Sequence, residues 1–222
     1  MARKSSTAFV LFDLDGTLVN PAPGIIGSVQ YALKSLGRAA PCHQDLLWVI
    51  GPPLRVSFAK LLGEQGEVER AVELYRAAYN NGGLFRAEPY DGIFDALTSL
   101  KGAGYRLFVC TSKPLPFARR VINHFGFAEY FEDLYGPDLD GRFDEKGELI
   151  THILASRNLS ADGGCMIGDR ANDTLAAQQN GMSSIGVTWG YGGHRELQEN
   201  GATILCENIS DLPERVRALL DY

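Results

Sequence analysis

The sequence predicts an α/β protein built on a doubly wound parallel sheet, interrupted after its first strand by an all-helical insertion. Three observations carry that prediction. From residue 93 onward, short continuous apolar runs alternate with helical stretches, and such runs suit strands buried on both faces of a parallel sheet. One further run, Ala8-Phe9-Val10-Leu11-Phe12, stands apart near the N-terminus. Between the two, from Asn20 to about Glu88, the apolar spacing is that of helices.

Taken in order, the first run ends at Asp13-Leu14-Asp15-Gly16-Thr17. In the block that follows, Ile25, Val29, Ala32, Leu33 and Leu36 form one helical stripe, and Val68, Ala71, Val72, Tyr75 and Tyr79 form another. Between these stripes Leu46, Leu47, Val49 and Ile50 precede Gly51-Pro52-Pro53, and Leu54, Phe58, Leu61 and Leu62 follow it. Pro89-Tyr90-Asp91-Gly92 is a turn-rich junction, after which helix and strand alternate as in a doubly wound domain. The helices fall at 93–101, 115–125, 147–157, 171–180, 194–200 and 213–220. The strands fall at Tyr105–Cys110, Gly164–Gly168, 184–188 and 203–206, and Gly126 and Gly181 stand where left-handed helix ends belong. The simplest topology places 1–19 and 89–222 in one α/β core and 20–88 in a helical cap domain. Crossings near 18–22 and 87–91 would then serve as a hinge, and a cap that closes excludes water from the chemistry beneath it.

Composition narrows the class of partner. With 222 residues, 45% hydrophobic and 22% charged, the chain has ordinary globular proportions and no mark of disorder. A net charge of −6 repels nucleic-acid backbones and anionic lipid, which points to a small substrate and away from a nucleic-acid polymer or a membrane. No apolar run approaches the ~20 residues needed to span a bilayer. The apolar stretch after the basic Met-Ala-Arg-Lys start is too short for a signal sequence. Cys42, Cys110, Cys165 and Cys206 are scattered without a C-x-x-C pair and read as reduced core thiols. The expectation is a cytoplasmic monomer or homodimer.

Two carboxylates spaced by two at the end of a buried strand are the strongest chemical signal. The spacing lets Asp13 and Asp15 leave the strand tip toward one crevice, and Gly16 permits the tight turn that follows. An Asp-Gly turn also suits a hairpin, yet the next block is helical and offers no partner strand. In open α/β sheets ligands bind beyond the carboxyl ends of the strands, where this motif lies. A second such place is Val109-Cys110-Thr111-Ser112-Lys113-Pro114, where the Thr111 hydroxyl and the backbone N–H groups of a strand-to-helix turn can receive an anion. Simple capping, with Ser112 as N-cap and Pro114 in the first turn, fits the same residues. A third is Ile167-Gly168-Asp169-Arg170-Ala171-Asn172-Asp173. There a spacing of four brings Asp169 near Asp173, although either residue also suits a cap or the helix dipole.

In these motifs, and in Lys146 just before a helix, the chain resembles the haloacid dehalogenase (HAD) superfamily of phosphohydrolases over nearly its whole length. The resemblance implies a Rossmann-like core in which Asp13 attacks phosphorus to form an aspartyl phosphate. It makes Asp15 the group that protonates the leaving alcohol and later deprotonates the hydrolytic water. It gives Thr111, the neighbouring backbone at Ser112, and Lys113 to the phosphoryl oxygens, and it lets Lys146 reach nucleophile and phosphate. It assigns Mg2+ to Asp13, the backbone carbonyl of Asp15, and Asp169, with Asp173 in support. Elementary chemistry agrees with the first role, since a carboxylate is anionic at neutral pH and needs no base to activate it.

Charge counting asks for a cation independently. The carboxylates of Asp13, Asp15, Asp169 and Asp173 and a phosphate dianion carry about six negative charges, against two from Lys113 and Lys146. A divalent cation and a proton on Asp15 bring the cluster close to neutrality, and all-oxygen coordination is what Mg2+ prefers.

The helical cap between the first and second motifs resembles the phosphoglycolate phosphatase branch. Ile50-Gly51-Pro52-Pro53, Ser112-Lys113-Pro114 and Gly168-Asp169-Arg170 resemble its 5′-nucleotidase-like members more closely. The resemblance therefore implies hydrolysis of a small phosphorylated metabolite, phosphoglycolate or a nucleoside 5′-monophosphate. Asp15 and Asp169 argue against true dehalogenation, which needs neither a second acid nor a metal. A phosphosugar mutase similar to β-phosphoglucomutase, and a catalytically silent protein that binds a phosphometabolite, are the alternatives. Arg55, placed in a rigid turn of the cap, suits either substrate contact or a plain surface arginine. Asn20 replaces the acid that many relatives carry. His43, His124, His152 and His194 show no ligand spacing, and the Gly190-Tyr191-Gly192-Gly193 turn has no evident catalytic part.

Overall fold

The apolar run near the N-terminus folds as an interior strand of a six-stranded parallel sheet in the computed structural model, which describes residues 8–52, 54–63 and 66–220. Pro53 and the basic residues that open the chain lie outside the described residues. The chain divides into two compact units, residues 20–88 and the remainder.

Strand β1 (Phe9–Phe12) is followed by the two-residue strand β2 (Val19–Asn20) and then by the inserted unit. That unit contains α1 (Ala22–Ser35), a 3-10 turn at Gln44–Val49, α2 (Leu54–Leu62) and α3 (Val68–Asn80). Its helical stripes are the buried ones: Ile25, Val29, Ala32 and Leu33 on α1, and Ala71, Val72, Tyr75 and Tyr79 on α3. The Asn20 side chain accepts a hydrogen bond from the Ala22 N–H at 3.0 Å and so helps start α1. Arg55 lies in the first turn of α2 and not in the preceding turn as the sequence suggested.

The chain returns through β3 (Glu88–Pro89), which pairs with β2, and continues as α4 (Ile93–Gly102), β4 (Arg106–Cys110) and α5 (Leu115–His124). Next come β5 (Asp133–Tyr135), α6 (Lys146–Arg157), β6 (Gly164–Gly168) and α7 (Ala171–Gln179). The last elements are β7 (Ser183–Val187), α8 (Gly193–Glu199), β8 (Ile204–Cys206) and α9 (Leu212–Leu220). Sheet order is β5-β4-β1-β6-β7-β8, and every pairing is parallel.

Residues alternate between the two faces of a strand. Phe9 and Leu11 therefore join Phe108, Cys110 and Met166 in a cluster covered by Leu149, Ile150 and Ile153 of α6 and by Ala176 and Ala177 of α7. On the opposite face the Phe12 ring meets Phe131 edge-on at 5.8 Å. Burying the Phe, Leu, Ile and Met side chains among these stabilises the fold by roughly 1.5–3 kcal/mol each relative to exposure.

Three local expectations needed correction. Strand β5 was not foreseen, because it has three residues and buries Leu134 alone. Helix α5 starts at Leu115 with Pro114 before it, and Ser112 does not cap it. A proline disfavours helical backbone in the residue ahead of it, which keeps Lys113 out of the helix. Finally, Cys42 is exposed, whereas Cys110, Cys165 and Cys206 are buried, and all four thiols are free.

Candidate active site

Parallel register decides which residues meet. Phe12 pairs with Val109 on one side and with Ile167 on the other, so the three strands end level with one another. Chain order reverses on either side of β1, which makes its carboxyl end the switch point where a crevice forms. Asp13, Thr111 and Asp169 are the residues that emerge there.

Asp13 stays tied to the sheet because its N–H donates to the Ile167 carbonyl at 2.9 Å. Gly16 follows with φ +89°, a left-handed conformation that glycine adopts without strain. It is also needed for space, since a Cβ there would lie 2.3 Å from Asp169 Oδ2. Thr17, fully buried, directs its hydroxyl at Asp169 Oδ1 at 3.4 Å.

Lys146 opens helix α6, is 3% exposed, and bridges two acids. Its ammonium donates to Asp173 Oδ1 and lies 3.0 Å from Asp13 Oδ1. The second approach is an ion pair without hydrogen-bond geometry, so Asp13 Oδ1 has no hydrogen-bond partner among the described residues. Burial alone would push the ammonium toward neutrality, but Asp13 and Asp173 outweigh it and hold Lys146 charged.

Asp169 and Asp173 sit at the tip of β6 and the first turn of α7. Asp173 Oδ2 accepts the Arg170 N–H at 3.0 Å, the reciprocal half of a capping box. Carboxylate oxygens of Asp13, Asp169 and Asp173 lie within 4.8 Å of one another, all buried. The pKa of Asp169 is driven well above the usual carboxylate range by burial first, then by the charges of Asp173 and Asp13. Burial raises Asp173 as well, against the pull of Lys146.

Asp15 turns the other way. Its Oδ2 is ion-paired with Lys113, which is 8% exposed, and its buried Oδ1 has no hydrogen-bond partner among the described residues. Thr111 is buried, and its hydroxyl accepts the Lys113 N–H at 3.2 Å. Ser112 is exposed and receives a 3.3 Å hydrogen bond from Asn172 Nδ2, linking the loops after β4 and β6. The acidic cluster fits a hard divalent cation: its donors are oxygens, one of them is orphaned, and burial together with neighbouring negative charge pushes Asp169 and Asp173 toward protonation. Asp15 contributes no carboxylate to that cluster.

Arg55 remains within the inserted unit, where its guanidinium grips the Glu69 carboxylate at 2.7 and 3.0 Å in an exposed pair.

Sequence reasoning missed the loop after β7. Trp189 Nε1 donates to the Thr17 carbonyl at 3.2 Å, and the Tyr191 N–H donates to Asp169 Oδ2 at 2.7 Å. A Cβ on Gly190 would lie 2.3 Å from Asp169 Cβ, so this glycine and Gly16 enclose the Asp169 side chain. The glycines at 190, 192 and 193 were the available signal, but the contact to Asp169 runs through the Tyr191 backbone N–H, which leaves no trace in side-chain chemistry.

A parallel α/β sheet with a helical insertion after its first strand, and with buried acids converging at that strand's tip, defines a class of Rossmann-like hydrolases. The chain belongs to the haloacid dehalogenase-like hydrolase family, whose profile matches residues 10–187. It is 43% identical over 204 residues to a 5′-nucleotidase of Pseudomonas aeruginosa, covering 91% of this chain and 92% of that one. It is 36% identical to the tyrosine-protein kinase PtkA of Mycobacterium tuberculosis, covering 90% of this chain and 68% of the kinase. A crystal structure described as a predicted phosphatase from Clostridium acetobutylicum superposes with a TM-score of 0.89 at 37% identity, covering 96% and 99% of the two chains.

Proposed function

We propose that the protein is a Mg2+-dependent phosphatase acting on a small phosphate monoester, with a nucleoside 5′-monophosphate as the first candidate. The observation that carries this reading is the buried triad of Asp13, Asp169 and Asp173, bridged by Lys146 at the tip of β1. The 5′-nucleotidase of Pseudomonas aeruginosa supports the choice of substrate.

In this reading Asp13 attacks phosphorus. A bond forms between its carboxylate oxygen and phosphorus, the ester bond breaks, and the departing oxygen takes a proton from Asp15. Water then attacks the aspartyl phosphate, gives a proton to Asp15, and releases inorganic phosphate with Asp13 restored. Asp15 begins paired with Lys113. An arriving phosphate competes for that ammonium, which frees Asp15 to carry the proton. Thr111 and the backbone around Ser112 supply further donors to the phosphoryl oxygens, and Lys146 keeps Asp13 oriented. A divalent cation, read as Mg2+ from the oxygen donors, offsets the negative charge that nucleophile and substrate bring together. The inserted unit is read as a cap that selects the substrate, with Arg55 able to exchange its exposed Glu69 partner for a substrate anion.

The kinase among the relatives favours a second reading, in which the phosphoryl group passes from Asp13 to an acceptor other than water. A phosphosugar mutase is the same chemistry with a sugar acceptor. Phosphate release from nucleoside 5′-monophosphates, 2-phosphoglycolate and sugar phosphates tests the proposal, with Asp13→Asn as the control. Loss of release in Asp13→Asn at unchanged circular dichroism supports it. Full activity of that variant, or transfer to an acceptor without phosphate release, overturns it.

A further inference from the structure

The acids on β6 and α7 are held from behind by helix α8. Glu196 Oε1 accepts from Arg170 Nε at 2.9 Å and from the Ala171 N–H at 2.8 Å. One carboxylate oxygen therefore takes the side chain of the residue after Asp169 and the first N–H of α7. The first four N–H groups of a helix have no partner within it, and an anion there also meets the positive end of the helix dipole. The contact fixes the rotation of the turn that carries Asp173, since Arg170 in turn donates its N–H to Asp173 Oδ2. Between α8 and this turn, the Gly192 N–H donates to the Asp169 carbonyl at 3.1 Å and the Tyr191 N–H to Asp169 Oδ2. Asp173 is thus held through Arg170 by Glu196 of α8, and Asp169 by the loop residues that lead directly into that helix.

We propose that Glu196 is a positioning residue for the cation site: it sets the geometry of Asp169 and Asp173 without touching substrate or metal itself. The proposal rests on the reading of the acidic triad as a divalent-cation site. Groups that orient ligands from behind typically change metal affinity by 10- to 100-fold when removed. Glu196 stands where such a group is needed, because carboxylates that repel one another will swing apart unless their backbone is fixed.

The test measures Mg2+ binding by isothermal titration calorimetry on the full chain, with no substrate present. Glu196→Ala is expected to weaken Mg2+ binding by on the order of tenfold or more. Glu196→Gln keeps an acceptor for the Ala171 N–H but loses the charge facing Arg170, so its affinity should fall between the two. Glu199→Ala is the control for a merely structural effect. It removes an ion pair from the same helix, Arg195 to Glu199 at 2.7 Å, that faces solvent, and it should leave Mg2+ affinity unchanged. Affinity within twofold of wild type in Glu196→Ala, or equal losses in Glu196→Ala and Glu199→Ala, would overturn the inference. If Glu196→Ala does not fold, Glu196→Gln decides alone: weakened binding at unchanged circular dichroism supports the assignment, and wild-type affinity sinks it. A wild-type protein that binds no Mg2+ overturns the cation site and this inference together, whereas normal wild-type binding with no effect at Glu196 overturns only the latter.

Discussion

Lys146 Nζ stands between Asp13 and Asp173, 3.0 Å from Oδ1 of the first and hydrogen-bonded to Oδ1 of the second, so a single buried ammonium faces two carboxylates. Asp169 adds a third negative charge within the same few ångströms. The arrangement is short of positive charge, and that deficit is what the predictions below exploit.

Removing the ammonium should be costly. Lys146→Met leaves Asp13 and Asp173 buried without a counter-charge, a change expected to destabilise the metal-free fold by about 3–5 kcal/mol. Urea unfolding in the presence of a chelator measures it, and a loss below about 1 kcal/mol would mean the three groups are better solvated than their burial indicates.

Stability should depend on pH and on metal together. Asp169 and Asp173 have raised pKa values in the folded chain, so over the window above the ordinary carboxylate range the folded state holds more protons than the unfolded one. Linkage then requires their contribution to stability to be present at low pH and to be lost as pH rises through the shifted values. A divalent cation replaces those protons. The rise in Tm on adding Mg2+ should accordingly be larger at about pH 7.5 than at about pH 5. A rise that is equal at both, or reversed, would contradict the burial-driven shifts. Exhaustive chelation should abolish phosphate release and Mg2+ should restore it.

Two glycine substitutions should behave oppositely. Gly190→Ala places a methyl 2.3 Å from the Cβ of Asp169, which cannot move without leaving the cluster. A loss of kcat/KM on the order of 10- to 100-fold is expected, with the fold retained. Gly102→Ala, at the end of α4 and with no atom within 4 Å of the new carbon, should raise stability by about 0.5–1 kcal/mol and leave turnover unchanged. Thermal melts and steady-state rates on the pair separate the two effects.

Thiol reactivity should report the fold. Burial pushes the Cys165 and Cys110 thiols up to about 12, and Cys206 up to about 11, while Cys42 is exposed. A thiol reagent at mild pH should label Cys42 alone in the native protein and the other three only on unfolding. Rapid labelling of Cys165 in native protein would show that β6 opens locally.

Much of the core was legible because its signals are periodic and local. Continuous apolar runs marked β1, β4 and β6, and the acidic or hydroxyl residues following each run marked the ends of the strands. Strand β5 escaped because Asp133-Leu134-Tyr135 lies at a sheet edge and is too short for any period to show. The start of α5 at Leu115 was legible, but the reading of Ser112 as its cap failed, because Ser112 is a good cap by residue type whereas Pro114 decides the backbone.

The candidate site was legible where side chains do the work and obscure where backbone does. Asp13 and Asp169 advertise themselves by charge at strand ends, and Asp173 by its place on the helix turn that follows. Tyr191 acts through its N–H, so its identity says nothing of that contact. Glu196 is one acid among many on the outer helices, and its two hydrogen bonds arise from the crossing of α8 over the start of α7. Lys113 was foreseen as a phosphate contact, and its pairing with Asp15 depends on side-chain directions that spacing along the chain does not encode.

The placement of β1 also has a consequence for biosynthesis. Phe9 pairs with Arg106 and with Gly164, partners that emerge from the ribosome only after the whole helical block has been made. Until then Phe9–Phe12 is an unpaired, wholly apolar strand, the kind of segment that seeks wrong neighbours in a nascent chain. The helical block, whose contacts are local, can form ahead of the sheet, whereas β1 must wait for pairings with distant segments, the long-range kind of contact that slows folding.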